Sequence, residues 1–321
     1  MANERDTPIR GEMRRRGYRR VAHGLFLVNV EHLDDEAEWR RDLLAWLEVL
    51  PRGAAYTGLT AARLLGWYLP ALPEQTPIFA ATSADTRPRR PGLVCSRLRR
   101  DAAPGLVDGL PVDTSAEILL RCARDLSALD LRIVVEGARR AGHVDEDQMA
   151  EILASRRPGV RPLRTAWLSS TGKADSGGEV VLQVFHDVLE IQYVAQHELY
   201  NDAGQLVARA DLWIVGTRRL HEYDGAVHRS KKAQSVDLRR SGGIGGADLQ
   251  RRGFTLDDLL NHALVTMHEI DRDLGRPHRM RRFHAWQRVV EQSMYSHAGR
   301  ERVMNRWHRE LGVADGARAA S

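Results

Sequence analysis

The chain has 321 residues, of which 43% are hydrophobic and 28% charged, and its formal net charge is +5. This length predicts two or three globular domains, and the small positive charge permits a polyanionic partner without requiring one. No apolar run approaches the roughly 18 residues that cross a bilayer, and the polar, basic start lacks the apolar segment of a signal peptide. We therefore expect a cytoplasmic protein with no membrane partner. The two cysteines, Cys95 and Cys122, lack C-x-x-C spacing, which argues against a cysteine zinc site.

The first part of the chain alternates basic clusters with short periodic segments. A strand-like run over 21–30, with a turn at Gly24, follows the first cluster and resembles the wing of a winged helix. Apolar spacing predicts helices over 35–50 and 59–67, and strands are predicted at 78–82 and 93–96. The basic residues of the first cluster and of the loop between these two strands are candidate DNA-phosphate contacts, as are Lys231 and Lys232 later in the chain. Those of the first cluster and the loop are Arg14, Arg15, Arg16, Arg19, Arg20, Arg87, Arg89 and Arg90.

A helical stretch is predicted from about 115 to 155, because Thr114 and Glu117 have the spacing of a capping box. The Arg, Gly, Ser and Pro-rich segment that follows predicts the main domain boundary. We expect a regulator-like module over 1–155, an α/β domain over 156–275 and a basic helical extension over 276–321.

The second part predicts a helix, three sequential strands and another helix. The helix covers 179–188, the strands cover 191–199, 206–215 and 219–224, and the later helix covers 256–274. A basic helix or helix pair is expected over 279–311, where Arg279 to Arg282 are candidate phosphate contacts.

Carboxylates fall at regular positions on two of these strands. Strand alternation places Asp211 on the face opposite the apolar residues of its strand, and Glu222 and Asp224 share one face of the next. Such a cluster supplies the hard oxygen ligands that hold Mg²⁺ for phosphodiester hydrolysis. The alternative is that these are solvated surface charges, which is the usual role of Asp and Glu on a strand face.

The spacing of these acids resembles a known nuclease pattern. Asp211 followed by Glu222-Tyr223-Asp224 is similar to the PD-(D/E)-x-K superfamily. The segments Ala-Arg-Ala-Asp-Leu-Trp at 208–213, Glu-Tyr-Asp-Gly-Ala-Val-His at 222–228 and Arg-Gly-Phe at 252–254 resemble its very-short-patch-repair-like endonuclease branch, over about 80 residues. The resemblance implies a restriction-endonuclease-like domain, with a small central sheet flanked by helices.

The resemblance also implies roles for individual residues. Asp211 and Glu222 would hold Mg²⁺ or Mn²⁺, and Glu179 matches the family's helix-borne glutamate. Asp224 occupies the superfamily's lysine position, as in the closer branch, and is a third carboxylate. His228 is the candidate proton shuttle, and Lys231 or Lys232 could supply positive charge instead; His228 could equally be a surface histidine that caps the following helix.

Residues 15–140 resemble the antitoxins of type IV abortive-infection systems. The segments that carry this likeness are 19–26 (Arg-Arg-Val-Ala-His-Gly-Leu-Phe), 60–66 (Thr-Ala-Ala-Arg-Leu-Leu-Gly) and 110–114 (Leu-Pro-Val-Asp-Thr). These antitoxins are DNA-binding regulators, so the resemblance implies DNA as a partner.

The sequence therefore predicts an α/β protein that joins a winged-helix-like α+β module to a Mg²⁺-dependent endodeoxyribonuclease. Two alternatives stay open: a DNA-binding regulator with a non-catalytic nuclease fold, and a protein-interaction adaptor in a defence system that needs no metal. DNA is the expected partner, and a homodimer or a defence-system protein are further alternatives.

Overall fold

The structure is a computed structural model that describes residues 7–12, 16–98, 104–200, 203–225 and 249–311. It is a mixed α/β protein with several small sheets, as the sequence predicts. Within the described ranges, no helix combines the length and apolar character needed to cross a membrane.

The chain begins with a small antiparallel sheet that supports a helix. Strands β1 (Ile9–Arg10), β2 (Tyr18–Ala22) and β3 (Leu25–Val28) pair in the order β1-β3-β2. The predicted turn at Gly24 is confirmed, and its φ of +66° is a conformation that glycine adopts without strain. Helix α1 (Asp35–Leu47) follows, capped by Asp34, whose side chain accepts from the backbone N–H of Ala37.

A five-stranded sheet forms the centre of the N-terminal half. Its strands are β4 (Ala55–Tyr56), β5 (Ile78–Thr82), β6 (Leu93–Arg97), β7 (Gly105–Val107) and β8 (Leu110–Val112). Their order in the sheet is β6-β5-β4-β8-β7, and β5 and β6 pair in parallel across the predicted basic loop. Helix α2 (Gly58–Leu64) lies between β4 and β5 in the sequence.

Four helices follow this sheet: α3 (Ser115–Asp125), α4 (Ala128–Arg140), α5 (Glu146–Ala154) and α6 (Val160–Ser169). The predicted capping box is wrong, although the helix does start there. Thr114 makes no side-chain cap hydrogen bond, and the Glu117 carboxylate instead accepts from Arg157 Nη2 at 2.7 Å. Glu117 is only 5% exposed. A buried carboxylate without a cationic partner is strongly destabilising, so its side chain pairs with Arg157 and does not cap the helix.

The second half is built around a four-stranded sheet. The elements are α7 (Gly177–Val188), β9 (Tyr193–Tyr200), β10 (Leu206–Ile214), β11 (Arg219–Tyr223), β12 (Gln250–Phe254), α8 (Leu256–Leu260), α9 (Ala263–Asp273), α10 (Met280–Gln292) and α11 (His297–Leu311). The order of the sheet is β12-β11-β10-β9. Strands β9, β10 and β11 are sequential and antiparallel, and β12 pairs in parallel with β11.

The hydrophobic cores of the two halves share elements. Leu163 of α6 and Trp307 of α11 belong to the first core, where the Trp307 ring meets Phe79 edge-on at 5.4 Å. Ile133 of α4 packs in the second core with Phe185 of α7 and Trp286 of α10. The expected domain boundaries near 155 and 275 stay predictions. Elements on both sides of each boundary contribute residues to the same hydrophobic cores.

We predict that Gly137→Ala destabilises the protein. Gly137 lies in α4, and a Cβ there would be 2.3 Å from the backbone nitrogen of Tyr68. Alanine is about 1 kcal/mol better than glycine inside a helix, yet overpacking of this kind costs about 1–3 kcal/mol. Urea unfolding should therefore show a lower midpoint for Gly137→Ala.

The matched control is Gly105→Ala, since a Cβ at Gly105 would meet Val112 Cγ2 at an ordinary 3.6 Å. Its free energy of unfolding should stay within about 0.5 kcal/mol of the wild type. A Gly137→Ala protein as stable as the wild type would contradict the close approach of Tyr68 to α4.

Candidate functional site

The register of the second sheet places three polar residues in one row. Leu212 pairs with both Ala195 and His221. Asp211 precedes Leu212 in β10, so in the same antiparallel register it lies between Gln196 of β9 and Glu222 of β11. Leu212 and Ile214 are buried and Asp211 is half-buried, which confirms the predicted alternation of faces.

Glu179 joins this row from the first turn of α7. The Ser176 side chain caps that helix by accepting from the Glu179 backbone N–H, and its hydroxyl donates to Glu179 Oε1 at 3.0 Å. Oε2 accepts from the Asp175 backbone N–H at 2.8 Å and from Gln196 Nε2 at 2.7 Å. The Gln196 contact links the helix-borne carboxyl group directly to the row on the sheet.

The Glu179 carboxyl group also interacts electrostatically with Asp211. Burial and, to a lesser extent, the negative charge of Asp211 together raise the pKa of Glu179 to about 7. Asp211 Oδ2 accepts from the Tyr223 backbone N–H at 2.8 Å. The structure therefore brings Glu179, Asp211 and the Glu222-Tyr223-Asp224 strand end together.

Close packing fixes the angle at which α7 meets this strand end. A Cβ at Gly178 would lie 2.1 Å from two atoms of the Tyr223 ring, so the ring occupies the space that a side chain would need. A glycine before Glu179 thus lets the start of α7 approach the row on the sheet.

Residues of the N-terminal half hold the segment that leads into α7. The carboxylate of Glu136, on α4, accepts from the backbone N–H groups of Thr171, Lys173 and Ala174 at 2.8–3.2 Å. Asp175 forms ion pairs with Arg140 of α4 and Arg209 of β10. Since the backbone N–H of Asp175 also donates to Glu179, the first half of the chain positions the candidate site.

The other two predicted carboxylates have different surroundings. Glu222 Oε1 accepts from Arg251 Nε at 3.0 Å, and the same guanidinium completes an ion pair with it. The Asp224 carboxylate is exposed and lies over Gly253, where a Cβ would be 1.9 Å from Asp224 Oδ2. Arg251 thus supplies a cation next to Glu222.

A preformed cage of three ligands is absent from the described ranges, where no group of three His, Cys, Asp or Glu side chains has the spacing to hold a metal ion. Mg²⁺ is commonly held by one or two carboxylates, waters and substrate phosphates. Asp211 and Glu222, as adjacent oxygen donors, fit that mode of binding. His228, Lys231 and Lys232 lie outside the described residues.

The predicted basic residues divide into exposed and internally paired side chains. Arg16, Arg20, Arg87 and Arg89 are exposed, whereas Arg14 and Arg15 lie outside the described residues. Arg90 Nη1 donates to the carbonyl of His23 at 3.0 Å, which joins the 87–90 loop to the β2–β3 turn. Two basic clusters that are distant in sequence therefore form one surface.

Three of the candidate phosphate contacts, Arg19, Arg281 and Arg282, form ion pairs within the chain. Arg19 bridges Glu38 and Asp42 of α1 and is 22% exposed. Arg282 is buried and pairs with Asp271 and Glu190. Arg282 is thus a structural residue, which corrects its assignment as a phosphate contact.

Sequence reasoning missed Gln196, Arg251 and Asp175. Gln196 has a φ of +53° within β9, and no local pattern predicts that conformation for glutamine. Arg251 was missed because β12 continues a basic segment that is interrupted by glycines, and that pattern does not predict a strand. Asp175 could have been found, since it stands four residues before Glu179 and directly precedes the Ser176 cap.

Comparison of the chain with models of protein families, with curated proteins and with solved structures finds no match. The assignment of this site therefore depends on its own geometry and on the sequence resemblance.

We predict that Glu179 makes the stability of the protein depend on pH. Its folded-state pKa is raised to about 7, from 4.5, so this group favours folding below about pH 4.5, and that contribution is lost as the pH rises through 7. Glu179→Gln removes the titration. Between pH 5 and pH 8, the stability of the wild type should fall relative to that variant by a few kcal/mol at most.

Chemical denaturation at several pH values measures this difference, with Glu151→Gln, an exposed carboxylate on α5, as the control that keeps the wild-type profile. Parallel pH profiles for the wild type and Glu179→Gln would rule out a perturbed carboxyl group at this position.

Proposed function

We propose that the chain is a Mg²⁺-dependent endodeoxyribonuclease whose site is formed by Asp211, Glu222 and Glu179. The observation that carries the proposal is the adjacency of Asp211 and Glu222 in one row of the sheet, with Glu179 linked to that row through Gln196. A small sheet covered by α7 is also what the nuclease resemblance leads us to expect.

Each residue of the site would have a separate role in hydrolysis. Asp211 and Glu222 would hold Mg²⁺ or Mn²⁺, which supplies an activated water and neutralises charge on the phosphate when bound. Glu179 would orient the water or a ligand, and Asp224 adds a third carboxylate at the strand end. Arg251, beside Glu222, is a cation that could stabilise phosphate charge. His228 remains the sequence-based candidate for proton transfer.

The basic surface supports DNA as the substrate. Arg20 and Arg90 flank the β2–β3 turn, where they contact the side chain and the carbonyl of His23 respectively. Arg87 and Arg89 extend that surface with exposed side chains. None of these four guanidinium groups pairs with a carboxylate of the described residues, and such groups are suited to phosphate oxygens.

A DNA-binding regulator with a non-catalytic nuclease fold is the second candidate function. The ion pair between Arg251 and Glu222 favours the regulator, because the guanidinium neutralises the carboxylate of one of the two proposed metal ligands. In this case the basic surface would bind DNA without a metal, and the carboxylate row would be structural.

We predict that Asp211→Asn and Glu222→Gln each lower Mg²⁺-dependent DNA cleavage by at least about 10²-fold, since each removes charge from a proposed ligand. Supercoiled, linear and single-stranded DNA should be tested with Mg²⁺ and with Mn²⁺. The matched control is Asp257→Asn, a carboxylate that is 64% exposed at the start of α8 and should not change the rate.

The two candidate functions give different results in that assay. Wild-type protein that binds DNA but leaves it intact with either ion would support the regulator and contradict the nuclease. Calorimetric titration with Mg²⁺ also distinguishes the two functions. The nuclease requires that the protein bind Mg²⁺ and that Asp211→Asn weaken this binding, whereas the regulator requires neither.

We also predict that Arg87→Ala and Arg89→Ala weaken DNA binding and reduce its dependence on salt. Each lost phosphate contact should lower the slope of log K against log salt by about one. Fluorescence anisotropy between low and physiological salt measures this slope. Arg161→Ala, an exposed arginine on α6, is the control, and an unchanged slope in both loop variants would exclude the loop from the interface.

A further inference from the structure

Residues of β11, β12 and α9 line a polar cavity of about 480 Å³. Its lining consists of four arginines, two carboxylates, one glutamine and one histidine, so every side chain that faces it can form hydrogen bonds. Concave sites of roughly 300–1,000 Å³ are the usual places where small molecules bind. A lining of this kind suits a small, charged ligand.

The cavity carries an excess of positive charge. The arginines are Arg219, Arg251, Arg252 and Arg272, and the carboxylates are Glu269 and Asp273. Arg252 pairs with both carboxylates, and Arg219 lies 3.9 Å from Asp273. Arg251 pairs with Glu222, which is not part of the lining. Arg272 is exposed and pairs with no carboxylate of the described residues, so it is the guanidinium most available to an anion.

A buried histidine faces this cavity. His221 is 2% exposed, and its Nδ1 lies 2.7 Å from Nε2 of His186, a buried residue of α7. Burial lowers the pKa of both rings, and the charges of His186, Arg252 and Arg219 add to the effect on His221. Two neutral imidazoles therefore share one hydrogen bond.

The hydrogen bonds of this pair assign a proton to each ring. His186 Nδ1 is 2.8 Å from the Leu182 carbonyl, which only accepts, so Nδ1 carries the proton and Nε2 is an acceptor. His221 must then donate from Nδ1, and its own Nε2 keeps an unprotonated lone pair. No described residue hydrogen-bonds to that nitrogen, so its lone pair is left for a ligand in the cavity.

These two features together select the ligand. Guanidinium groups need negatively charged oxygen atoms, whereas the His221 lone pair needs an O–H or N–H donor. Sulfate and simple carboxylates carry no proton at neutral pH, so their oxygens would repel the lone pair of Nε2. Inorganic phosphate keeps at least one proton at neutral pH and also offers anionic oxygens to the arginines.

We propose that the cavity binds inorganic phosphate, whose O–H donates to His221 Nε2 and whose anionic oxygens bind Arg272. His186 is a positioning residue that fixes the tautomer of His221. The proposal does not rest on the proposed nuclease activity, and its test uses neither DNA nor a divalent metal.

The test is equilibrium dialysis of the full chain against radiolabelled phosphate at mildly alkaline pH and constant ionic strength. Unlabelled sulfate should compete at least about 10-fold less well than unlabelled phosphate, because sulfate leaves the Nε2 acceptor without its hydrogen bond. Glycerol phosphate should be as weak as sulfate, since a phosphate monoester has lost its last proton well above about pH 6.

Two variants separate charge from proton recognition. Arg272→Ala should weaken the binding of phosphate and of sulfate by the same factor, at least about 5-fold. Arg161→Ala, an exposed arginine on α6, is the control and should bind both ions as the wild type does.

His221→Asn tests the acceptor itself. The amide N–H₂ can still donate to His186 Nε2, but the atom that occupies the position of His221 Nε2 is lost. The preference for phosphate over sulfate should therefore fall to about one, with the fold checked by circular dichroism. In wild-type protein, phosphate should also shift the ¹⁵N resonance of His221 Nε2, which requires no substitution in the core.

Three results would overturn the proposal. Wild-type protein that binds no phosphate would exclude the site. Equal competition by phosphate, sulfate and glycerol phosphate would show that His221 accepts no proton from the ligand. Phosphate affinity that is unchanged in Arg272→Ala would place the bound ion elsewhere on the chain.

Discussion

The structure depends on the burial of helix α4 from all sides. Leu131 and Val134 belong to the first hydrophobic core, whereas Leu129 and Ile133 belong to the second. Every residue of this helix from Leu129 to Ala138 is buried, so other elements enclose it on every side. The two halves of the chain therefore pack against the same helix, and their relative placement follows from that packing.

The charged residues of α4 make this placement specific. Buried charges cost several kcal/mol each unless they are paired and hydrogen-bonded, so each one selects a partner element. Asp130 accepts from Ser293 and from the Met294 backbone N–H, just after α10, and Arg132 pairs with Asp187 of α7. Glu136 binds the segment before α7, and thereby sets where Glu179 meets the sheet.

Local patterns predicted most of the elements, because periodicity follows directly from which face is buried. The helices at Asp35–Leu47 and Gly177–Val188 and the strands at Ile78–Thr82 and Leu206–Ile214 are confirmed. The predicted helical stretch over 256–274 is two helices, Leu256–Leu260 and Ala263–Asp273.

Features fixed by distant partners could not be predicted in the same way. Helix α6 was missed in an arginine- and proline-rich segment, since its stability comes from packing Leu163 and Trp167 into the first core. Strand spacing predicted that the side chains of Asp211 and Glu222 would lie near each other, and their register places them side by side. The contacts of Glu179 with Gln196 and of Glu222 with Arg251 depend on strand pairing and side-chain geometry, which spacing does not encode.

The contact between Phe79 and Trp307 has a consequence for synthesis on the ribosome. Phe79 emerges early, yet Val303 and Trp307, which complete its core, are translated only after the whole second half. The N-terminal half thus leaves the exit tunnel with part of its apolar surface uncovered, a state in which chains are prone to aggregate. Closure of that core therefore waits until Trp307 has left the exit tunnel.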